Sequence, residues 1–211
     1  MKLKLILLIL LGLVGLATLT YASVVILSDY ETARYVVEQR SGHFELRNYA
    51  PRILAYVEVE GDRETAENRG FRLLANYIFG SNAGANKLAM TTPVTVAPEK
   101  VAMTTPVTLQ SESAGTWTVT FLMPADYTLE NLPKPNNDRV RFSEQPSARW
   151  VAARFSGYMT DAKIERWQRD LQAWATSNGM RLKGEPMLAY YDPPWNPPFV
   201  RRNEILWRVR D

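Results

Sequence analysis

Few residues in this chain are able to do chemistry. It has one histidine, His43, and no cysteine. That composition excludes disulfides, thiol catalysis, thiolate zinc or iron–sulfur sites, and any mechanism that needs two histidines. His43 follows Ser41 and Gly42 at the start of an alternating stretch. A lone histidine without metal-spaced partners is usually a surface residue, although one histidine suffices as an axial haem ligand. Glu58 and Glu60 share one face of an expected strand, opposite Val57 and Val59. Without a cleft they read as a solvated face and not as an acid/base pair. Gly-rich phosphate loops, Gly-x-Ser-x-Gly elbows and His-Glu-x-x-His runs do not occur. No nucleophile–base pair is visible, so the expectation is a binding protein and not an enzyme.

Two stretches are more unusual. Residues 192–199 read DPPWNPPF, four prolines around Trp195. Proline fixes φ, so this loop is stiff without regular structure. It is either a packed connection or a rigid wall that presents Trp195 to an apolar ligand or partner. Arg201, Arg202, Asn203 and Glu204 follow, and an Arg–carboxylate pair there would fix the exit of the loop. The second stretch is stated twice. Residues 87–95 read KLAMTTPVT and residues 100–108 read KVAMTTPVT. Nothing in it is a base, a nucleophile or a hard metal ligand. Pro93 and Pro106 suit strand edges, and Met90 and Met103 are soft fillers, methionine also being common at adaptable binding surfaces. Each copy is expected to be an extended arm closing a barrel wall, with a turn near 97–100 between them.

Elements must position these residues. Phe71, Leu74, Ala75 and Ile78 recur at helical spacing behind Gly61 and the N-cap Asp62, which predicts a helix from Arg63 to about Phe79. A second helix is expected over 161–177, with Ile164, Trp167, Leu171, Trp174 and Ala175 as its apolar stripe. Alternation predicts strands over 44–48, 53–60, 116–123, 139–144, 150–155, 187–191 and 204–210. Residues 30–41 are mixed and read as a short helix or a tether. The segments 45–61 and 141–157 have equal length, and each leads through glycine into an amphipathic helix, which suggests two pseudo-symmetric halves. The fold class is α+β: eight or so strands curl into one sheet or distorted barrel that receives both helices.

Ahead of this domain, Lys2 and Lys4 precede an uncharged run from Leu5 to Leu27. As a helix it spans about 35 Å, enough to cross a bilayer core. Residues 1–28 are therefore expected to be a membrane anchor or uncleaved signal, and residues 29–211 the folded domain. The alternative is a cleaved signal peptide, with Thr20, Tyr21 and Ala22 as a loose cleavage match. The flanking lysines place the amino terminus in the cytoplasm and the domain outside it, at the inner membrane or free in the periplasm. The net charge is +3, two units of it from Lys2 and Lys4, so no basic face for nucleic acid is expected.

The chain resembles the SOUL family of haem-binding proteins. The resemblance is carried by FELRNYAP at 44–51, NYIFGSN at 76–82, the doubled motif, LPKP at 132–135, YDPP at 191–194 and RRNE at 201–204. It is similar, more distantly, to the ligand-binding domains of bacterial multidrug-sensing regulators. The resemblance implies a distorted antiparallel β-barrel flanked by two amphipathic helices, built from two pseudo-repeats, that binds haem or other tetrapyrroles. Members with an axial histidine have it in an Arg-His-Tyr triplet, which here is Arg47, Asn48 and Tyr49. Other members bind in a shallow groove along the first helix and against the Tyr-Asp-Pro-Pro loop. The matching positions are Asn68, Phe71, Ala75, Asn76, Tyr191 and Asn196, with Trp195 alongside. Basic residues that members can have at three of these are Asn68, Asn76 and Asn196 here, which leaves Arg72 as the nearest propionate partner. Weak haem binding, or a less anionic flat hydrophobe, is the expectation. An envelope interaction module and a hydrolase acting on a bound hydrophobe are the alternatives.

Overall fold

A computed structural model describes residues 31–83, 100–113, 115–193 and 195–210. The apolar run from Leu5 to Leu27 and the first copy of the doubled motif lie outside the described residues. Among the described residues, no helix is long and apolar enough to cross a membrane.

Nine strands form one antiparallel sheet: β1 Tyr35–Ser41, β2 Phe44–Tyr49, β3 Arg52–Glu60, β4 Val107–Ser113, β5 Thr116–Leu122, β6 Arg141–Gln145, β7 Ala148–Phe155, β8 Leu182–Tyr190 and β9 Asn203–Val209. Helix α1 is Arg63–Ile78 and α2 is Asp161–Ser177. The strand order is β6-β3-β5-β4-β8-β9-β7-β2-β1. Apart from β1, this order is symmetric about the β4·β8 pairing. β3, β5 and β4 of the first half mirror β7, β9 and β8 of the second. The leading strand of each half, β2 or β6, crosses to the other half's edge. The register obeys the same symmetry, with Arg52 opposite Gln145 and Tyr49 opposite Ala148.

Both helices pack on one face. Val57, Val59, Leu109, Val119, Leu188 and Ile205 from that face join Leu74, Ile78, Ile164, Leu171 and Ala175 in a single core. Asp62 caps α1 by accepting from the Thr65 N–H at 2.7 Å. Gly70 lets α1 approach the sheet, since a Cβ there would lie 2.3 Å from Val119 Cγ2. On α2, Trp167 stacks on Phe155 with centroids 5.2 Å apart, and Trp174 stacks on Phe44 at 5.6 Å.

The opposite face is concave. Arg52 on β3 places its guanidinium 4.6 Å from the Tyr49 ring on β2 and 5.9 Å from the Trp150 ring on β7. A flat sheet would hold β3 and β7, five places apart, about 24 Å from each other. The sheet therefore curls, but it stops at a half-barrel: β6 and β1 are its two edges and do not pair. Of the one sheet or distorted barrel expected from sequence, the structure has a single curled sheet that remains open. β6 has five residues and β1 slips register between Val37 and Gln39, and both edges carry charges, which discourages edge pairing.

Two local expectations are corrected. Residues 35–41 form a strand and not a helix or tether. It is an edge strand exposed along most of its length, so it lacks the alternation that marks a half-buried strand. The second copy of the doubled motif joins the wall only through its last residues, Val107 and Thr108. Thr104–Thr105 pairs in parallel with Glu31–Thr32 outside the main sheet, and Val107 then opens β4. Val101 is buried and donates its N–H to the Ile78 carbonyl at the end of α1.

Candidate ligand-binding site

Helix α1 offers a solvent-facing surface above the core. Asn68, Phe71, Arg72 and Asn76 are exposed, whereas Ala75 is buried beneath them. Phe71 lies against Phe121 of β5 at 5.4 Å between centroids, and 41% of it remains in water. Phe79, just past the helix, is 59% exposed. Two large apolar side chains on a helix that already buries Leu74, Tyr77 and Ile78 are more than the core requires. The Asn68 amide donates to the Glu64 carbonyl, which fixes it along the helix.

The amino-terminal half of α1 is tied to the second half of the fold. The Tyr190 hydroxyl, at the end of β8, donates to Glu67 at 3.0 Å. Arg63 pairs with Asp161, the first residue of α2, at 2.9 Å. Burial raises the Glu67 carboxyl above its ordinary range, and Tyr190 and Arg63 only partly offset this. Between the two helices lies a cleft of about 360 Å³ with Leu109 and Leu188 at its base and Trp117 and Gln168 among its walls.

One residue further on, the chain turns to the other face. Tyr191 donates its hydroxyl to Glu204 at 2.9 Å and lies under the Arg202 guanidinium at 3.9 Å. It packs with Tyr49, Trp150 and Leu206 in the half-barrel interior. Of the aromatic pair 190–191, it is Tyr190 that meets α1. The loop that follows is stapled by Asp192, which accepts from the Asn196 amide at 3.0 Å and from the Arg202 N–H at 2.6 Å. Asn196 is buried inside this staple, and its carbonyl accepts from Arg201 at 2.7 Å. Trp195 and Phe199 stand out from the loop, 76% and 77% exposed.

The interior of the half-barrel holds a charged network absent from the expected site residues. Arg47 donates to both oxygens of Glu204, at 2.6 and 3.0 Å, and to Glu45 at 2.6 Å. Arg202 adds two further bonds to Glu204. Burial opposes the Glu204 charge, but Arg47 and Arg202 overcome it and hold the carboxyl below its usual range. The readable signal was Arg47 lying on the same strand face as Tyr49, where β2 turns its bulk inward. The pair joining Glu204 to an arginine next to the loop exit was expected, and its larger partner, Arg47, was not.

His43 sits away from α1. Its Nδ1 is 3.1 Å from the Arg154 carbonyl oxygen, an acceptor, so the ring donates there. The ring abuts Trp167 on α2 edge-on, 5.3 Å between centroids. Glu58 and Glu60 are exposed, and Glu58 pairs with Arg141 at 3.0 Å.

Residues 30–208 match the family described as SOUL heme-binding protein. The chain belongs to the SOUL family. Among curated relatives it is similar to human heme-binding protein 2, 24% identical over 172 residues, which covers 80% of this chain and 78% of that protein. Heme-binding protein 1 of Xenopus laevis is 25% identical over 169 residues, covering 80% and 84%. Solved structures share the fold at lower identity. The EcmrR C-terminal domain aligns with TM-score 0.56 at 17% identity, over 80% of this chain and 97% of that one. A structure described as a hydrolase from Listeria innocua aligns with TM-score 0.56 at 14%, over 82% and 94%. Within this SOUL domain, the expected site residues divide by face. Asn68, Phe71, Arg72, Ala75 and Asn76 belong to α1, Tyr191 belongs to the half-barrel interior, and Trp195 and Asn196 belong to the stapled loop.

Proposed function

We propose that this SOUL-family protein is a non-enzymatic binding or carrier module for haem, other tetrapyrroles or similar flat hydrophobes. The observation that carries this is the exposed aromatic surface of α1. Phe71 is backed by Phe121 and flanked by Arg72, Asn68 and Asn76, so a flat apolar ring gains a stacking partner and polar neighbours for its edge. Arg72 is the cation available to a propionate. Asparagines accept or donate neutral hydrogen bonds that contribute about half as much as charged ones, which favours modest haem affinity. His43, engaged on the α2 side, is no axial ligand in this reading. Residues 5–27 anchor the protein in the inner membrane as a single span, with the domain on the extracytoplasmic side; release after signal cleavage is the alternative.

A haemin titration tests the binding reading. A saturable Soret shift is expected in the micromolar range, weakened about tenfold or more by Phe71→Asp and unchanged in His43→Ala. A titration with no saturable shift, for haemin and for metal-free porphyrins, sinks it. Fractionation of cells tests the tether: recovery of the domain as soluble protein beginning at Ser23 or later refutes the uncleaved span.

A second reading has its own observation. Trp195, Phe199 and Val200 with Tyr158 are large apolar side chains exposed together on and beside the stapled loop. An envelope interaction module would use them as contact anchors. Loss of porphyrin binding by Phe71→Asp but not by Trp195→Ala assigns the ligand to α1 and leaves the loop to a partner.

A further inference from the structure

Arg52 is the odd member of the half-barrel interior. Arg47 and Arg202 share Glu204, but Arg52 makes no ion pair among the described residues. Its Nη1 is buried and has no hydrogen-bond acceptor. The Trp150 indole Nε1, on a side chain 7% exposed, is buried without an acceptor as well. These two orphan donors are neighbours, with the guanidinium 5.9 Å from the Trp150 ring centroid. Native interiors leave few such donors, and a charged one is the most unfavourable kind. Burial, with Arg208 nearby, works against the Arg52 charge, and the rings of Tyr49 and Tyr191 offset only part of it.

Arg52 also borders a cavity of about 640 Å³ at the end of the half-barrel. Ala33, Pro51, Ile53, Leu122, Met123 and Tyr127 give it a mostly apolar wall. Two carboxylates are on its rim. Glu31 is engaged by the Ala125 N–H at 3.1 Å, and Glu144 is exposed. Arg34, exposed, is on the rim as well, so two carboxylates and two guanidiniums border the cavity; a dianion would leave it with two excess negative charges, whereas a monocarboxylate meets the guanidinium that is buried.

We propose that this cavity, which meets the half-barrel interior at Arg52, is a second binding site, for an apolar monocarboxylate. The carboxylate takes the Arg52 Nη1–H at the cavity wall, the Trp150 Nε1–H lies behind that guanidinium as a second donor, and the apolar body fills the cavity. Its donors, Arg52 and Trp150, lie on the face of the sheet opposite α1, and the site does not depend on the porphyrin reading.

The test uses the full-length chain in phosphatidylcholine nanodiscs, with 2-naphthoate and its neutral isostere 2-naphthamide as probes. The readout is the Trp150 indole N–H resonance, assigned by its loss in Trp150→Phe. A saturable shift is expected with naphthoate, with affinity at least about tenfold above that of naphthamide and lost by a similar factor in Arg52→Met. Arg52→Met is expected to fold, because it replaces an uncompensated buried charge with an apolar side chain. The acid–amide comparison stands on the unsubstituted chain in any case. Equal affinities for acid and amide, a shift that survives Arg52→Met, or no shift with either probe overturns the proposal. The last result would mean that the two donors bind water only. Haemin binding that persists in Arg52→Met keeps the two sites separate.

Discussion

Arg47 and Glu204, 157 residues apart in sequence, meet in a two-pronged pair inside the half-barrel, at 2.6 and 3.0 Å and with side-chain exposures of 1% and 0%. They reach each other over β7, which separates β2 from β9 and, between Trp150 opposite Arg47 and Arg154 opposite Glu204, presents Ala152 to this face. The small alanine leaves room for the ionic bridge, and the bridge ties β2, the leading strand of the first half, to β9 of the second.

Breaking one side of this pair is expected to be severe. Arg47→Met leaves Glu204 buried with Arg202 alone, and loss of one partner of a buried ion pair costs about 3–5 kcal/mol. Replacing both, Arg47→Met with Glu204→Leu, removes the charges together and is expected to cost less than the two single changes summed. Urea unfolding of the four proteins gives the coupling energy. A value under about 0.5 kcal/mol would mean that the two charges act independently.

The same carboxylate sets an acid limit. Its folded pKa is held below the ordinary value, so the unfolded chain binds the proton more readily. The stability it contributes is complete above the unfolded value, near 4.5, and is lost as pH falls through the lower folded value. Unfolding free energy measured from pH 7 downward is expected to drop steeply only below that range. Glu204→Gln is expected to be less stable at pH 7 and to show a flatter acid limb. An unchanged acid limb would assign the acid sensitivity to other groups.

Gly70 controls how α1 sits over β5. Alanine favours helix by about 1 kcal/mol over glycine, yet the added Cβ meets Val119 Cγ2 at 2.3 Å. Overpacking of that kind costs about 1–3 kcal/mol, so Gly70→Ala is expected to be destabilising on balance. Because Phe71 is the next residue and rests on Phe121, the same substitution is expected to weaken porphyrin binding. Gly70→Ala combined with Val119→Ala should recover both; recovery of stability without binding would separate the helix position from the ligand surface.

Much of this architecture was legible because periodicity is a local signal. Phe71, Leu74, Ala75 and Ile78 announce α1, and Ala55, Val57 and Val59 announce β3, from spacing alone. The SOUL resemblance pointed to α1 as the ligand surface, and the structure places Phe71 there, part-exposed and resting on Phe121. What stayed hidden depends on contacts across long sequence distances. β1 is an exposed edge with no alternation to read. Whether the sheet closes depends on its last two strands, which differ from inner strands only in length and charge. Tyr190 and Tyr191 are adjacent in the chain and serve opposite faces, a choice made by where β8 ends. Arg47, Arg52 and Arg202 look alike in sequence. Only the curl of the sheet gives two of them a carboxylate and leaves the third with none.

Glu67 carries a pH dependence opposite in sign to that of Glu204. Burial raises its folded pKa above the unfolded value, so the folded chain binds the proton more readily. Above its folded pKa the ionised Glu67 lowers stability, and the deficit disappears as pH falls to the unfolded value. Glu67→Gln keeps an acceptor for the Tyr190 hydroxyl and removes the charge. It is therefore expected to raise the thermal midpoint at pH 7 and to leave it nearly unchanged at pH 4, provided the Arg63–Asp161 pair is intact. Tyr190→Phe is expected to act the other way at pH 7, because it strips the carboxylate of its hydroxyl donor and leaves only Arg63, 3.8 Å away. Thermal melts of both variants at the two pH values check this. A Glu67→Gln chain less stable than the parent at pH 7 would mean that Arg63 outweighs burial, and that the α1–β8 joint is held by charge.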